Sequence, residues 1–118
     1  MSCKGKCNKD GCHSGNLKPL SHPQKAWSLE ELGGSNWEMI YRLENEAILP
    51  KLMKDYEFKD FTDALDFVNQ IAKIAEEMNH HPTIRLEWGK VGVEIWTHAI
   101  NDLTELDFIL AREIDYIK

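Results

Sequence analysis

A chain of 118 residues, 42% hydrophobic and 29% charged, has the make-up of one globular domain able to bury a core of its own. No apolar run approaches the ~20 residues that a membrane span needs, and no signal-peptide pattern opens the chain. The net charge of -6 divides into +4 over residues 1–26 and -10 over the rest, and so acidic a body disfavours direct nucleic-acid binding.

Residues 1–26 contain Gly5, Gly11, Gly15, Pro19 and Pro23 without a sustained apolar period, and they read as a flexible arm. All three cysteines, Cys3, Cys7 and Cys12, fall there beside His13. Thiolate and imidazole are zinc ligand types, but the spacing matches no paired C-x-x-C pattern, so the arm is expected to be reduced and metal-free. Residues 27–118 form the expected domain. Ser28 and Glu31 give the S-x-x-E pattern of a short helix that Gly33-Gly34 ends. Trp37, Met39, Tyr41 and Leu43 alternate as in a half-buried strand. A second extended stretch over 48–58 carries Leu52, Tyr56 and Phe58 on one parity, and Pro50 assigns its start to an edge or bulge.

The clearest period follows. Phe61, Ala64, Leu65, Val68, Ile71, Ala72, Ala75 and Met78 recur at three- and four-residue steps, capped by Asp60 or Thr62 and stopped by Pro82. Next, Ile84, Leu86 and Trp88 face Val91, Val93, Ile95 and Thr97 across Gly89-Lys90, a hairpin expected to turn as type II′. Glu94, Trp96 and His98 have the opposite parity to Val91, Val93 and Ile95. Thr104 with Asp107 resembles a helix N-cap pattern, and Leu106, Leu110, Ile114 and Ile117 supply the stripe of a last helix. The sum is an α+β domain, α-β-β-α-β-β-α, with a four-stranded antiparallel sheet covered by helices on one face.

His80, His81 and His98 admit three readings. A histidine at a helix C-terminus can bond a free carbonyl and gain from the dipole. Three imidazoles can bind zinc, but adjacent helical residues point ~100° apart, and the i, i+4 ligand pair is missing. Metal-free acid/base chemistry uses imidazole because it titrates nearest neutral pH. Glu76, four residues before His80, is placed to orient that ring or to grip a substrate N–H. Asp107 also fits a plain role in the first turn of a helix.

The run Glu76-Glu77-Met78-Asn79-His80-His81-Pro82, followed by Trp96-Thr97-His98 and Leu103-Thr104-Glu105-Leu106-Asp107, resembles the pterin-4a-carbinolamine dehydratases. Phe58-Lys59-Asp60-Phe61 and Phe67-Val68-Asn69 are also similar to that family, and the resemblance covers roughly residues 27–118. It implies dehydration of 4a-hydroxytetrahydropterin to quinonoid dihydropterin and water with no cofactor and no metal. On that resemblance His80 and His98 would be the acid/base pair, and His81 would help to bind and place the pterin. Glu76, Asn79, Thr97 and Asp107 would line the site. The family also implies a homodimer or homotetramer, and the absence of a targeting pattern favours the cytoplasm. Animal relatives suggest an alternative, a protein partner role as dimerisation cofactor of a homeodomain transcription factor. Two departures, Leu106 where some relatives carry arginine and Ile84 where some carry an aromatic, bear on the pterin side chain rather than on dehydration.

Overall fold

The computed structural model of the protein describes residues 18–33 and 36–117. The cysteine cluster of the arm and His13 lie outside the described residues. Helix α1 spans His22–Glu31 and so straddles the boundary expected at residue 26. Its start is a capping box that the S-x-x-E reading passed over. Ser21 Oγ accepts from the Gln24 N–H at 3.2 Å, and the Ser21 N–H donates back to Gln24 Oε1 at 2.8 Å. Pro23 fits the first turn, where its missing N–H has no partner to lose.

Strands β1 (Glu38–Glu44) and β2 (Ala47–Glu57) form the first hairpin, closed by Asn45-Glu46 with φ of 51° and 65°. Two positive φ values make the type I′ turn that suits strand twist. Helix α2 (Phe61–Met78) is capped by Asp60, whose side chain accepts from the Asp63 N–H at 2.8 Å. Strands β3 (Thr83–Glu87) and β4 (Lys90–Ile95) form the second hairpin. Its pairing sets Glu87 opposite Lys90, so the turn residues are Trp88 and Gly89. Gly89, with φ of 74°, is therefore second in the turn, the sign pattern of type II and not of the expected type II′. Helix α3 (Glu105–Ile117) closes the chain.

The sheet order is β1-β2-β4-β3, antiparallel throughout, so the α+β plan read from the sequence is the observed one. Leu52, Tyr56, Val91, Val93 and Ile95 share one face and pack on Ala64, Phe67 and Ile71 of α2 and Phe108, Leu110 and Ile114 of α3. Each fully buried aliphatic side chain there contributes about 1.5–3 kcal/mol. The opposite face carries ion pairs instead. Arg42 reaches Glu94 at 2.8 Å, and Arg85 reaches Asp55 at 3.5 Å across Gly92, where a side chain would collide with the guanidinium.

Pro50 sits in a regular ladder opposite Tyr41. Strand β4 pairs with β2 only from Leu52 to Glu57, so Pro50 lies in the part of β2 that has a single neighbour. That end of the hairpin also departs from the half-buried pattern expected of β1, because Tyr41, Leu43 and Ile48 are exposed.

Candidate active site

The site begins with how α2 stops. Asn79 adopts the left-handed conformation, φ 53° and ψ 43°, one residue beyond the helix. Its N–H donates to the Glu76 carbonyl at 3.3 Å, and the His80 N–H donates to the Ala75 carbonyl at 3.1 Å. These are the two bonds of a Schellman motif, and asparagine is one of the few residues that accept this conformation without much strain. The chain reverses here, so His80 and His81 leave the helix in different directions: His80 is buried and His81 is exposed.

Asp107 lies in the first turn of α3 and is 0% exposed. A carboxylate without water needs donors, and this one has three. His80 Nε2 lies 2.6 Å from Oδ1, while Thr97 Oγ1 at 2.7 Å and the Thr104 N–H at 2.8 Å donate to Oδ2. The positive end of α3 supports the same charge. The proton directions follow from the inventory of groups. An ionised carboxylate only accepts, so beside one it is Nε2 that carries the His80 proton and Nδ1 that is left without it. Thr97 gives its hydroxyl proton to Asp107, so it accepts from Thr104 Oγ1 at 2.9 Å. Thr104 Oγ1 in turn accepts from the Leu106 N–H at 3.3 Å.

Glu76 does not orient His80. The Schellman turn carries His81 back toward it, and Glu76 Oε2 lies 2.6 Å from His81 Nε2 at the surface. Thr97 and Asp107, expected to line a substrate pocket, are fully buried with their side-chain oxygens engaged within the protein. Asn79 is the reverse case. Its Nδ2 is buried and has no hydrogen-bond partner among the described residues.

His98 follows Thr97 just past the end of β4, and its ring rests on Trp96 with centroids 4.2 Å apart. The loop that begins with it returns at once. The Thr97 N–H donates to the Asp102 carbonyl at 3.0 Å, and Asn101 takes φ of 52°. From outside, Lys25 of α1, a buried residue, places Nζ 2.7 Å from Asp102 Oδ1. Sequence reading missed this lysine because it fell in the presumed arm. Its only advance signal was the capping box at Ser21. Substituting Asp102 by alanine strands that ammonium, and chemical denaturation is expected to register a loss of about 3 kcal/mol.

Residues 18–117 match the family model described as Pterin 4 alpha carbinolamine dehydratase, and the chain belongs to that family. A Rickettsia canadensis protein assigned as a pterin-4-alpha-carbinolamine dehydratase is 45% identical over 98 residues, 83% of this chain and 74% of its own. One from Vibrio vulnificus with the same assignment is 46% identical over 98 residues, covering 83% and 84% of the two chains. Among solved structures, a transcriptional coactivator/pterin dehydratase from Brucella melitensis superposes with a TM-score of 0.72 at 30% identity, over 85% of this chain and 98% of that one. A pterin dehydratase-like RuBisCO assembly factor of the alpha-carboxysome, with a TM-score of 0.56 at 19% identity over 71% and 90%, shares the fold alone.

Proposed function

We propose that this chain dehydrates a 4a-hydroxytetrahydropterin to quinonoid dihydropterin and water, in the cytoplasm and without a metal ion, in support of tetrahydrobiopterin recycling. The observation that carries this reading is the buried Asp107 carboxylate, which holds His80 by one oxygen and the residue before His98 by the other. One buried group thereby anchors His80 directly and, through Thr97, the segment that carries His98. As the C4a–O bond breaks, the leaving oxygen takes a proton from one imidazole. N5 gives its proton to the other, and its electron pair closes the C4a=N5 bond. Both rings return to their starting state when the two protons are exchanged with water.

His80 and His98 are assigned to these two transfers. Exposed His81, paired with Glu76, meets the pterin at the pocket edge, and Asn79 Nδ2 supplies a donor to a pterin acceptor. Thr97 and Asp107 position rather than touch. The chain is also assigned to self-association, in support of which β2 offers an unpaired ladder edge over residues 47–51 beside exposed Tyr41, Leu43 and Ile48.

The reading is tested by stopped-flow dehydration of synthetic 4a-hydroxytetrahydropterin in EDTA. The native chain is expected to accelerate the reaction, and His80→Ala combined with His98→Ala to abolish the acceleration. A native chain no faster than the spontaneous reaction ends the enzyme reading and leaves a protein-interaction role. Loss of activity in EDTA that zinc restores overturns the metal-free mechanism.

A further inference from the structure

Lys51 stands within β2, and its side chain is 3% exposed. An ammonium so far from water is costly unless partners surround it. Two are carboxylates, Glu44 across the first hairpin and Glu94 of β4 at 3.9 Å. The third is aromatic. Nζ lies 3.8 Å from the centroid of a Trp96 ring, within the range at which a cation is drawn to an indole face. His98 rests against the same indole, its plane tilted 35° from it. An ammonium, an indole and an imidazole are thus in series, from the middle of the sheet to its end.

The position of His98 makes this series useful. Strand β4 ends at Ile95, and past the Thr97–Asp102 bridge no ladder fixes the backbone. Two torsions set the orientation of the ring, and contact with a neighbouring surface narrows both. The indole is such a surface, and it can direct the imidazole only if it is itself held.

We propose that Lys51 is a positioning residue for His98 that acts through Trp96. The buried ammonium holds the indole in one orientation, and the indole sets the plane of the imidazole. An apolar residue at 51 would fill the same space without directing the ring. Arginine would still direct it, because a guanidinium also lies on aromatic faces and pairs with carboxylates. The kinetic consequence rests on the dehydratase reading above, whereas the stack itself does not.

The experiment uses the full chain labelled at histidine, with the His98 signals assigned by loss in His98→Gln. In the native protein the indole ring current shifts the His98 ring protons away from their unstacked positions. Lys51→Met is expected to return them toward those positions and to lower kcat about tenfold with KM changed less than about threefold. Lys51→Arg is expected to restore the shifts and most of the rate. Trp96→Leu should remove the shifts altogether, and Lys51→Gln, which keeps a polar side chain but not the charge, should reproduce the Lys51→Met result, so the proposal is decided even if Lys51→Met does not fold. Native shifts and native kcat in folded Lys51→Met overturn it, as does an effect confined to KM. A native chain without dehydratase activity whose His98 shifts collapse in Lys51→Met retires the reaction and keeps the stack.

Discussion

Asp107→Asn is expected to lower kcat for dehydration by roughly two to four orders of magnitude with little change in KM. The geometry gives the reason. An asparagine amide in the same place offers one acceptor and one donor, where the three groups around Asp107 all donate. If the amide oxygen takes the Thr97 and Thr104 side, its NH2 faces His80 Nε2. The ring must then put its proton on Nδ1, the nitrogen required for exchange, and the acid/base role is inverted. If the amide turns over, the Thr104 N–H meets a donor instead. The first arrangement satisfies the cluster only by inverting the His80 tautomer, and the second buries an unmatched polar group at a cost of ~1–3 kcal/mol. Steady-state kinetics read the first effect and urea unfolding the second. Retention of native kcat by a folded Asp107→Asn would show that the His80 tautomer does not limit the reaction.

The largest stability effect is expected at the other end of α3. Asp115 Oδ1 accepts from Lys54 Nζ at 2.8 Å and from the Tyr56 hydroxyl at 2.6 Å, and Oδ2 accepts from Trp37 Nε1 at 3.0 Å. One carboxylate thus joins α3 to β2 and to the residue leading into β1. Asp115→Ala leaves a mostly buried ammonium, a phenol and an indole N–H without their acceptor, and should cost about 4 kcal/mol in urea unfolding. Burial, then the hydrogen bond to Asp115 and its charge, raises the Tyr56 hydroxyl far above its ordinary value of 10.0. Below pH 10 the folded and unfolded chains both keep this proton, and the contribution is whole. Above it the unfolded chain releases the proton and the folded chain does not, so stability falls as the pH rises. Tyr56→Phe should flatten that alkaline decline, and an unchanged slope would remove Tyr56 as its source.

What could be read in the sequence divides along physical lines. The α2 stripe from Phe61 to Met78 and the alternation from Ile84 to Ile95 are repeated local signals, and both elements form where expected. Hairpin turn geometry depends on which two residues the register leaves unpaired, and a slip of one residue was enough to exchange type II′ for type II. For α1, the helix signal at Ser21-His22-Pro23-Gln24 was present but carried by a His-Pro pair that also suits a loop. The site was legible in its members but not in its pairings. Thr104 and Asp107 satisfy a capping pattern whether the carboxylate faces water or the core, so only the packing of α3 on the sheet shows Asp107 buried. The i, i+4 spacing of Glu76 and His80 suggested a contact that exists only if the helix continues. It ends at Met78, and the carboxylate meets His81 instead. Lys51 gave no signal at all, since a lysine in a strand is ordinarily solvated and the cover supplied by Trp96 comes from a residue 45 positions away.

The left-handed residue at 79 has an effect on how this protein can change. A single backbone twist decides both which histidine enters the interior and which stays at the rim, so on the proposed reading proton exchange and substrate capture share one conformational variable. Substitutions that disturb that twist alter both functions at once. Substitutions at Glu76 or Asp107 alter them separately. On that reading, divergence toward a different pterin runs most easily through the rim pair, and a change at position 79 moves selectivity and chemistry together.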